Sequence, residues 1–246
     1  MSTESATPPS VAAATPAGPP VAIVTGASQG IGAATALALA KKGFGVALAA
    51  RRPAGLVAIE NRIREVGGFA FVAPTDVTER DQVQELVAET GRRFGPVGLL
   101  VNAAGAVHRA PLTSTSDADF DNVLGVNVKG TFLCTRAVLP GMIARRRGRI
   151  VNLAAVAGRI GAPRLAAYCA SKWGVVGLTK ACAEELRPAG IAVFAVCPGS
   201  VDSESYRVAM PGAKPRSAPE SVAEVIAWLG SEAPASMSGS VLDAPG

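Results

Sequence analysis

The stretch Val21-Ala22-Ile23-Val24-Thr25-Gly26-Ala27-Ser28-Gln29-Gly30-Ile31-Gly32 decides the fold. Val21 to Thr25 is a short apolar run without polar alternation, the pattern of a strand covered on both faces. Glycines follow at Gly26, Gly30 and Gly32. In a strand-to-helix turn, residues without a Cβ permit a tight bend, close approach of backbone to a ligand, and close packing of the new helix. The helix that opens there presents unsatisfied N–H groups and the positive end of its dipole, a setting suited to phosphate. Any such turn can use glycine for its own geometry. Strand, turn and helix together favour the cradle of a dinucleotide diphosphate.

Working outward, apolar runs at 21–25, 45–50, 69–73, 97–102, 149–153, 191–196 and 239–242 read as seven strands. Longer segments at 31–42, 54–66, 79–94, 116–144, 164–188 and 219–229 read as crossover helices, with a kink expected at Pro140. The alternation predicts an α/β fold, doubly wound around a parallel sheet. Residues 1–20 hold five prolines, five alanines and six serines or threonines with one charged side chain, Glu4. Such a composition buries too little apolar surface to offset its ordering entropy and is expected to form a tail. Ser200 to Pro219, the interior stretch richest in loop residues, reads as a flexible flap over a site.

The chain of 246 residues is 49% hydrophobic and 17% charged, which excludes a disordered chain, a coiled coil and a collagen-like repeat. No run of eighteen apolar residues lacks glycine or charge, and no basic segment leads into an apolar one at the start. A soluble, cytoplasmic protein without a membrane partner is expected. Cys134, Cys169, Cys182 and Cys197 form no C-x-x-C pair and His108 is the only histidine, so metal and disulfide frameworks are poor readings. The net charge of +5 and the run Arg145-Arg146-Arg147-Gly148-Arg149 suit a helix end in solvent. No aromatic stacking platform accompanies them, so nucleic acid is not expected as a partner.

Further motifs follow the glycines. Asn102-Ala103-Ala104-Gly105 lies after the fourth run, Asn127 lies within Gly125–Gly130, Tyr168-Cys169-Ala170-Ser171-Lys172 lies within the fifth helix, and Pro198-Gly199 follows the sixth run. With the G-x-x-x-G-x-G spacing at Gly26, their order over Val21–Gly246 resembles the short-chain dehydrogenase/reductase family, of the 3-oxoacyl-acyl-carrier-protein reductase kind. The resemblance implies one Rossmann-type domain over 21–246, with a seven-stranded, mostly parallel sheet. It implies a nicotinamide dinucleotide held by Gly26, Ser28, Gln29, Gly30, Ile31, Gly32, Asp76, Val77, Asn102, Ala103, Gly105, Tyr168, Lys172, Pro198, Gly199 and Val201. It implies hydride transfer between that cofactor and a small carbonyl or alcohol substrate, with Asn127, Tyr168 and Lys172 catalytic. The helices carrying Asn127 and Tyr168 resemble those through which the family forms homodimers or homotetramers.

The dinucleotide itself is arguable from charge. An acidic residue at the end of the second strand would accept bonds from the ribose 2′-OH of NAD, whereas arginine accommodates the 2′-phosphate of NADP. This chain has Arg51 and Arg52 there, so NADP(H) is favoured over NAD(H). Either guanidinium could instead point into water, and Asp76 could serve as a helix cap.

Tyr168 and Lys172 stand four residues apart, on one helix face, where an ammonium near the phenol is expected to favour the phenolate. In the family an asparagine matching Asn127 holds a water that relays protons to the lysine; a hydrogen bond at a helix kink is an equal reading. The family also places a serine thirteen residues before the tyrosine, to hold the substrate oxygen. Here that position is Ala155, and no serine or threonine occurs between Asn152 and Tyr168. An introduced substitution, a hydrogen bond supplied by substrate or water, and a dinucleotide-binding scaffold without turnover all remain open. His108 reads as a loop residue that could border the substrate, and the chain's end, Asp243-Ala244-Pro245-Gly246, departs from the family's.

Overall fold

Alternate residues of β1 (Val21–Thr25) serve two different cores. Ala22 and Val24 join a cluster with Leu39, Leu56, Val222 and Ile226, whereas Ile23 joins Leu86, Leu133, Met142 and Leu186. Period-two geometry sends successive side chains to opposite faces, so a run apolar at every position must lie between two layers. The structure, a computed structural model, describes residues 19–244. The tail expected over 1–20 lies outside the described residues apart from its last two positions.

Seven parallel strands form one sheet in the order β3-β2-β1-β4-β5-β6-β7. The others are β2 (Gly45–Ala50), β3 (Phe69–Pro74), β4 (Leu99–Asn102), β5 (Gly148–Leu153), β6 (Ile191–Pro198) and β7 (Val241–Ala244). The expected mostly parallel sheet is parallel throughout. The first two strands have the bounds expected from sequence. The last starts two residues later, because Gly239 adopts φ +91° in a turn that donates its N–H to Val193 O.

One face carries α1 (Gly30–Lys41), α2 (Pro53–Glu65) and α8 (Pro219–Ser231). The other carries α3 (Arg80–Phe94), α5 (Thr131–Ala144) and α6 (Ala166–Leu186), with α4 (Asp117–Leu124) leading into α5. The chain reverses its order of addition between β1 and β4, paired as far as Thr25 opposite Asn102. In a doubly wound sheet this leaves a crevice beyond the carboxyl ends of the strands at that point.

Two departures from the sequence reading shape the crevice. The helix expected over 116–144 is interrupted at Gly125–Gly130 by a π turn, and α5 then continues past Pro140, which has no N–H to donate to the ladder. Glycine at 130 permits this packing, since a Cβ there would lie 2.7 Å from Val77 Cγ2. The expected flap also contains a helix, α7 (Glu204–Ala209), capped by Ser203 Oγ accepting from Tyr206 N at 3.2 Å. Among the described residues no helix is long and apolar enough to cross a membrane.

Candidate active site

The carboxyl ends of β1, β4, β5 and β6 open into one cleft of about 740 Å³. At its floor Gly26 has φ +66°, and a Cβ on it would lie 2.7 Å from Ala103 O. A Cβ on Gly32 would lie 2.3 Å from Gly26 O. These two glycines therefore allow backbone to pack on backbone. Gly30, at φ +54°, faces the cleft with only Ser203 Cβ near, at 3.5 Å from where its Cβ would be. Gln29 at the N-cap of α1 makes no side-chain cap, leaving the first N–H groups of the helix free. Thr25, which sequence reasoning passed over, ties the floor together: its Oγ1 accepts from Ala103 N and Ala104 N, both at 3.1 Å. Its place as the last residue of β1 was the available signal.

Gly26, Ser28, Gln29, Gly30, Ile31, Gly32, Arg51, Arg52, Asp76, Val77, Ala103, Gly105, Tyr168, Lys172, Pro198, Gly199 and Val201 all line this cleft. Arg51 and Arg52 are exposed at the end of β2. The Asp76 carboxylate accepts from Thr78 N at 2.9 Å and Thr78 Oγ1 at 2.7 Å. Burial, which alone would raise its pKa, is outweighed by these bonds and by the Arg51 charge, which hold it below the usual range.

Asn102 and Asn127 are not in the lining. Asn102 Nδ2 donates to Asn152 Oδ1 at 2.9 Å and to Thr135 Oγ1 at 3.3 Å, inside a buried network that continues from Asn152 Nδ2 to Thr179 Oγ1. Asn127 Oδ1 accepts from Ala106 N at 2.7 Å, while its Nδ2 donates to Ala106 O at 2.9 Å and Ser171 Oγ at 2.8 Å. Asn127 thus staples the loop after β4 to α6 across the π turn.

Lys172 is buried, and its Nζ donates to Leu153 O at 2.7 Å while lying 5.6 Å from the Tyr168 ring centroid. Burial pulls its pKa down to about 8. Burial pushes the Tyr168 phenol up, with smaller contributions from the neighbouring Cys169 and Cys197. The sequence reading expected lysine to lower the phenol. In this arrangement desolvation sets the direction, and the ammonium bonds a carbonyl and is itself disfavoured as a cation.

Beyond the tyrosine the cleft is walled by Ala155, Val156, Ala157, Ile160 and Leu165, with Val208 and Met210 opposite on the flap. The flap is fastened at two points: Arg109 Nε donates to Ala209 O at 3.0 Å, and Gln29 Nε2 donates to the Glu204 carboxylate. His108 lies outside the lining, its Nδ1 3.4 Å from Asp119 Oδ1.

A glycine-opened phosphate cradle and a phenol–amine pair in one crevice define a dinucleotide-dependent oxidoreductase. Residues 20–211 match the profile of the short chain dehydrogenase family. The chain belongs to that family and is an NAD(P)-dependent oxidoreductase. It is 41% identical to the 3-oxoacyl-[acyl-carrier-protein] reductase of Staphylococcus epidermidis over 186 residues, covering 74% of this chain and 75% of that protein. It is 35% identical to the Thermotoga maritima protein of the same name over 236 residues, covering 92% and 96%. Among solved structures, a single-substitution variant of actinorhodin polyketide ketoreductase with NADPH superposes with TM-score 0.87 at 35% identity, covering 93% of this chain and 96% of that one. A short-chain dehydrogenase/reductase from Mycobacterium marinum gives 0.84 at 33%, covering 91% and 92%.

Proposed function

We propose that this chain reduces a ketone to an alcohol at the expense of NADPH, with Tyr168 as proton donor. The observation that carries the reading is the placement of Tyr168 and Lys172 in the same cleft as the free N-terminus of α1. The cleft suits a dinucleotide: Gly30 leaves room for a diphosphate, uncapped N–H groups face it, and the exposed guanidiniums of Arg51 and Arg52 on its lining are suited to a 2′-phosphate. The nicotinamide, when bound, supplies a hydride to the carbonyl carbon.

The protein's own part is positioning and proton delivery. A phenol raised by burial keeps its proton at neutral pH and serves as an acid, which suits reduction. Lys172, mostly cationic at pH 7, supports the negative charge left on the phenol after transfer. Asn127 fixes the loop that forms the cleft wall before Tyr168. The relatedness to 3-oxoacyl-[acyl-carrier-protein] reductases and to an NADPH-bound ketoreductase supports this reading. Exposed Phe120, Phe132 and Trp173 on α4, α5 and α6 support self-association through those helices.

Calorimetry with NADPH and NADH, followed by oxidation of NADPH against a panel of ketones, tests the proposal. Binding of NADPH with turnover supports it. Ala155 favours one other reading, a nucleotide-binding scaffold, because removing an oxyanion donor lowers turnover by about 10²- to 10³-fold. Binding without turnover over the whole panel would establish that reading instead.

A further inference from the structure

A ketone oxygen that gains negative charge during hydride addition has two lone pairs to satisfy, and a buried one left unmatched is expensive. On the wall beside Tyr168, from Leu153 to Leu165, the phenol is the one side-chain hydroxyl that can donate to it. Lys172 Nζ gives one N–H to Leu153 O and lies over the ring of Tyr168. The wall from Leu153 to Leu165 contains no hydroxyl, and the flap opposite presents Val208, Ala209 and Met210. Of the other hydroxyls on the lining, Ser203 Oγ accepts from Tyr206 N, Tyr206 Oη reaches Lys214 O at 3.4 Å, and Ser200 and Ser205 belong to the flap, whose part the serine variants below test. Ser28 and Thr75 stand at the far end, beside Gly30 and Asp76.

We propose that the second donor comes from the substrate: an apolar ketone carrying a hydroxyl on the adjacent unsaturated carbon framework, as an ortho-hydroxyaryl ketone does, so that a planar six-membered hydrogen-bonded ring holds the carbonyl oxygen. The proposal rests on the ketone-reductase reading above. Its chemistry balances. The carbon–oxygen π bond breaks; the carbon gains the hydride with its electron pair; the oxygen takes the proton of Tyr168, which solvent restores. The substrate's own hydroxyl keeps its proton throughout and strengthens its bond as the oxygen becomes anionic. The apolar wall of Ala155, Val156, Ile160 and Leu165 fits the flat, uncharged face of such a molecule. Exposed Ile160, Val208 and Met210 extend that apolar surface to the mouth of the cleft.

The test uses the full chain with NADPH and three ketones, 2′-hydroxyacetophenone and its 2′-methoxy and 4′-hydroxy counterparts, of which only the first has the internal bond. The 2′-hydroxy compound is expected to show at least tenfold higher kcat/KM than either counterpart. Ala155→Ser is expected to shrink that ratio below about threefold by raising the other two, since a protein hydroxyl and a substrate hydroxyl then do the same job. Calorimetric affinities of the three ketones are expected to agree within about threefold, placing the difference in turnover. A ratio near one in the wild type, a ratio unchanged by Ala155→Ser, or a difference carried wholly by affinity overturns the proposal. So does a hundredfold loss on the methoxy ketone in Ser200→Ala or Ser205→Ala, which would make the flap the donor. Reduction of plain ketones such as cyclohexanone without the ortho-hydroxy preference sinks this inference and leaves the reductase reading standing. Nucleotide binding with no ketone reduced sinks both.

Discussion

Lys172 holds its Nζ 5.6 Å from the ring centroid of Tyr168 while donating to Leu153 O, so one ammonium links the end of β5 to the phenol face of α6. The contact is made at 4% exposure, where a cation is disfavoured. Lowering of a lysine from 10.5 to about 8 corresponds to about 3 kcal/mol of native-state destabilisation at neutral pH. Replacing it with an isosteric apolar group removes that penalty and loses a hydrogen bond worth about 1 kcal/mol. Lys172→Met is therefore expected to raise Tm by a few degrees while abolishing ketone reduction. A variant with unchanged or lower Tm in calorimetry would show that the charge is better accommodated than its burial implies.

The same group sets a pH dependence in both stability and rate. Its pKa in the folded chain lies below the unfolded value, so the unfolded state binds more protons between about pH 8 and 10.5. Its contribution to stability therefore grows as pH rises through that window, and falls to its full penalty below pH 8. The rate runs the other way: loss of the ammonium removes support for the phenolate, so kcat for reduction is expected to fall above about pH 8. Tyr168, held protonated by burial, adds no acid-side limb. A kcat flat from pH 7 to 10 contradicts this assignment.

Arg51 is expected to decide between the two nicotinamide dinucleotides. A guanidinium to phosphate bond is worth about 1.5–3 kcal/mol, so Arg51→Ala should raise KM for NADPH by about 10- to 100-fold. KM for NADH should change less than twofold, since no 2′-phosphate is there to lose. The nearby Asp76, whose carboxylate is already bonded to Thr78, stays in place as the charge beside it is removed. Equal effects on both cofactors would mean that Arg51 acts on the shape of the β2 end.

Much of this site was readable as sequence because it depends on backbone rules. Glycines after a buried strand predict the cradle, and helical spacing places Tyr168 and Lys172 together. What escaped depends on tertiary packing. Within the π turn at Gly125–Gly130, Asn127 bonds Ala106 across twenty-one residues and Gly130 abuts Val77, contacts that no local pattern encodes. Helix α7 was hidden in a segment of turn-forming residues, and its anchors, Arg109 and Gln29, lie far away in the chain. The direction of the Tyr168 shift failed for the same reason: spacing reports proximity of charge, whereas desolvation depends on everything packed around it.

The staple at Asn127 is testable on its own. Asn127→Ala strips partners from Ala106 N, Ala106 O and Ser171 Oγ at a site that is 1% exposed. Leaving such groups unmatched costs about 2–3 kcal/mol, enough to lower Tm by several degrees. Because the Ala106 loop lines the cleft, KM for NADPH is expected to rise together with the loss of stability. A fall in kcat alone, with Tm and KM unchanged, would instead place Asn127 in proton relay.

Glu204 carries a carboxylate into the part of the cleft suited to a diphosphate, and in this structure it is held there by Gln29 Nε2. Gln29 adjoins Gly30 in the chain, and Ser203, next to Glu204, approaches Gly30 from the flap. Two anions cannot share that space without repulsion, so the carboxylate must swing away or weaken the ligand. Exposed charges are screened, and the effect of removing one is about 1 kcal/mol, or about fivefold in affinity. Glu204→Gln keeps the hydrogen-bonding shape while removing the charge, and is expected to tighten NADPH binding about fivefold at low salt and less at about 0.5 M. The tightening should appear equally for NADH, because both dinucleotides share the diphosphate, which separates this effect from that of Arg51. Weaker binding in Glu204→Gln would mean that the carboxylate contacts a hydroxyl of the bound nucleotide and favours it.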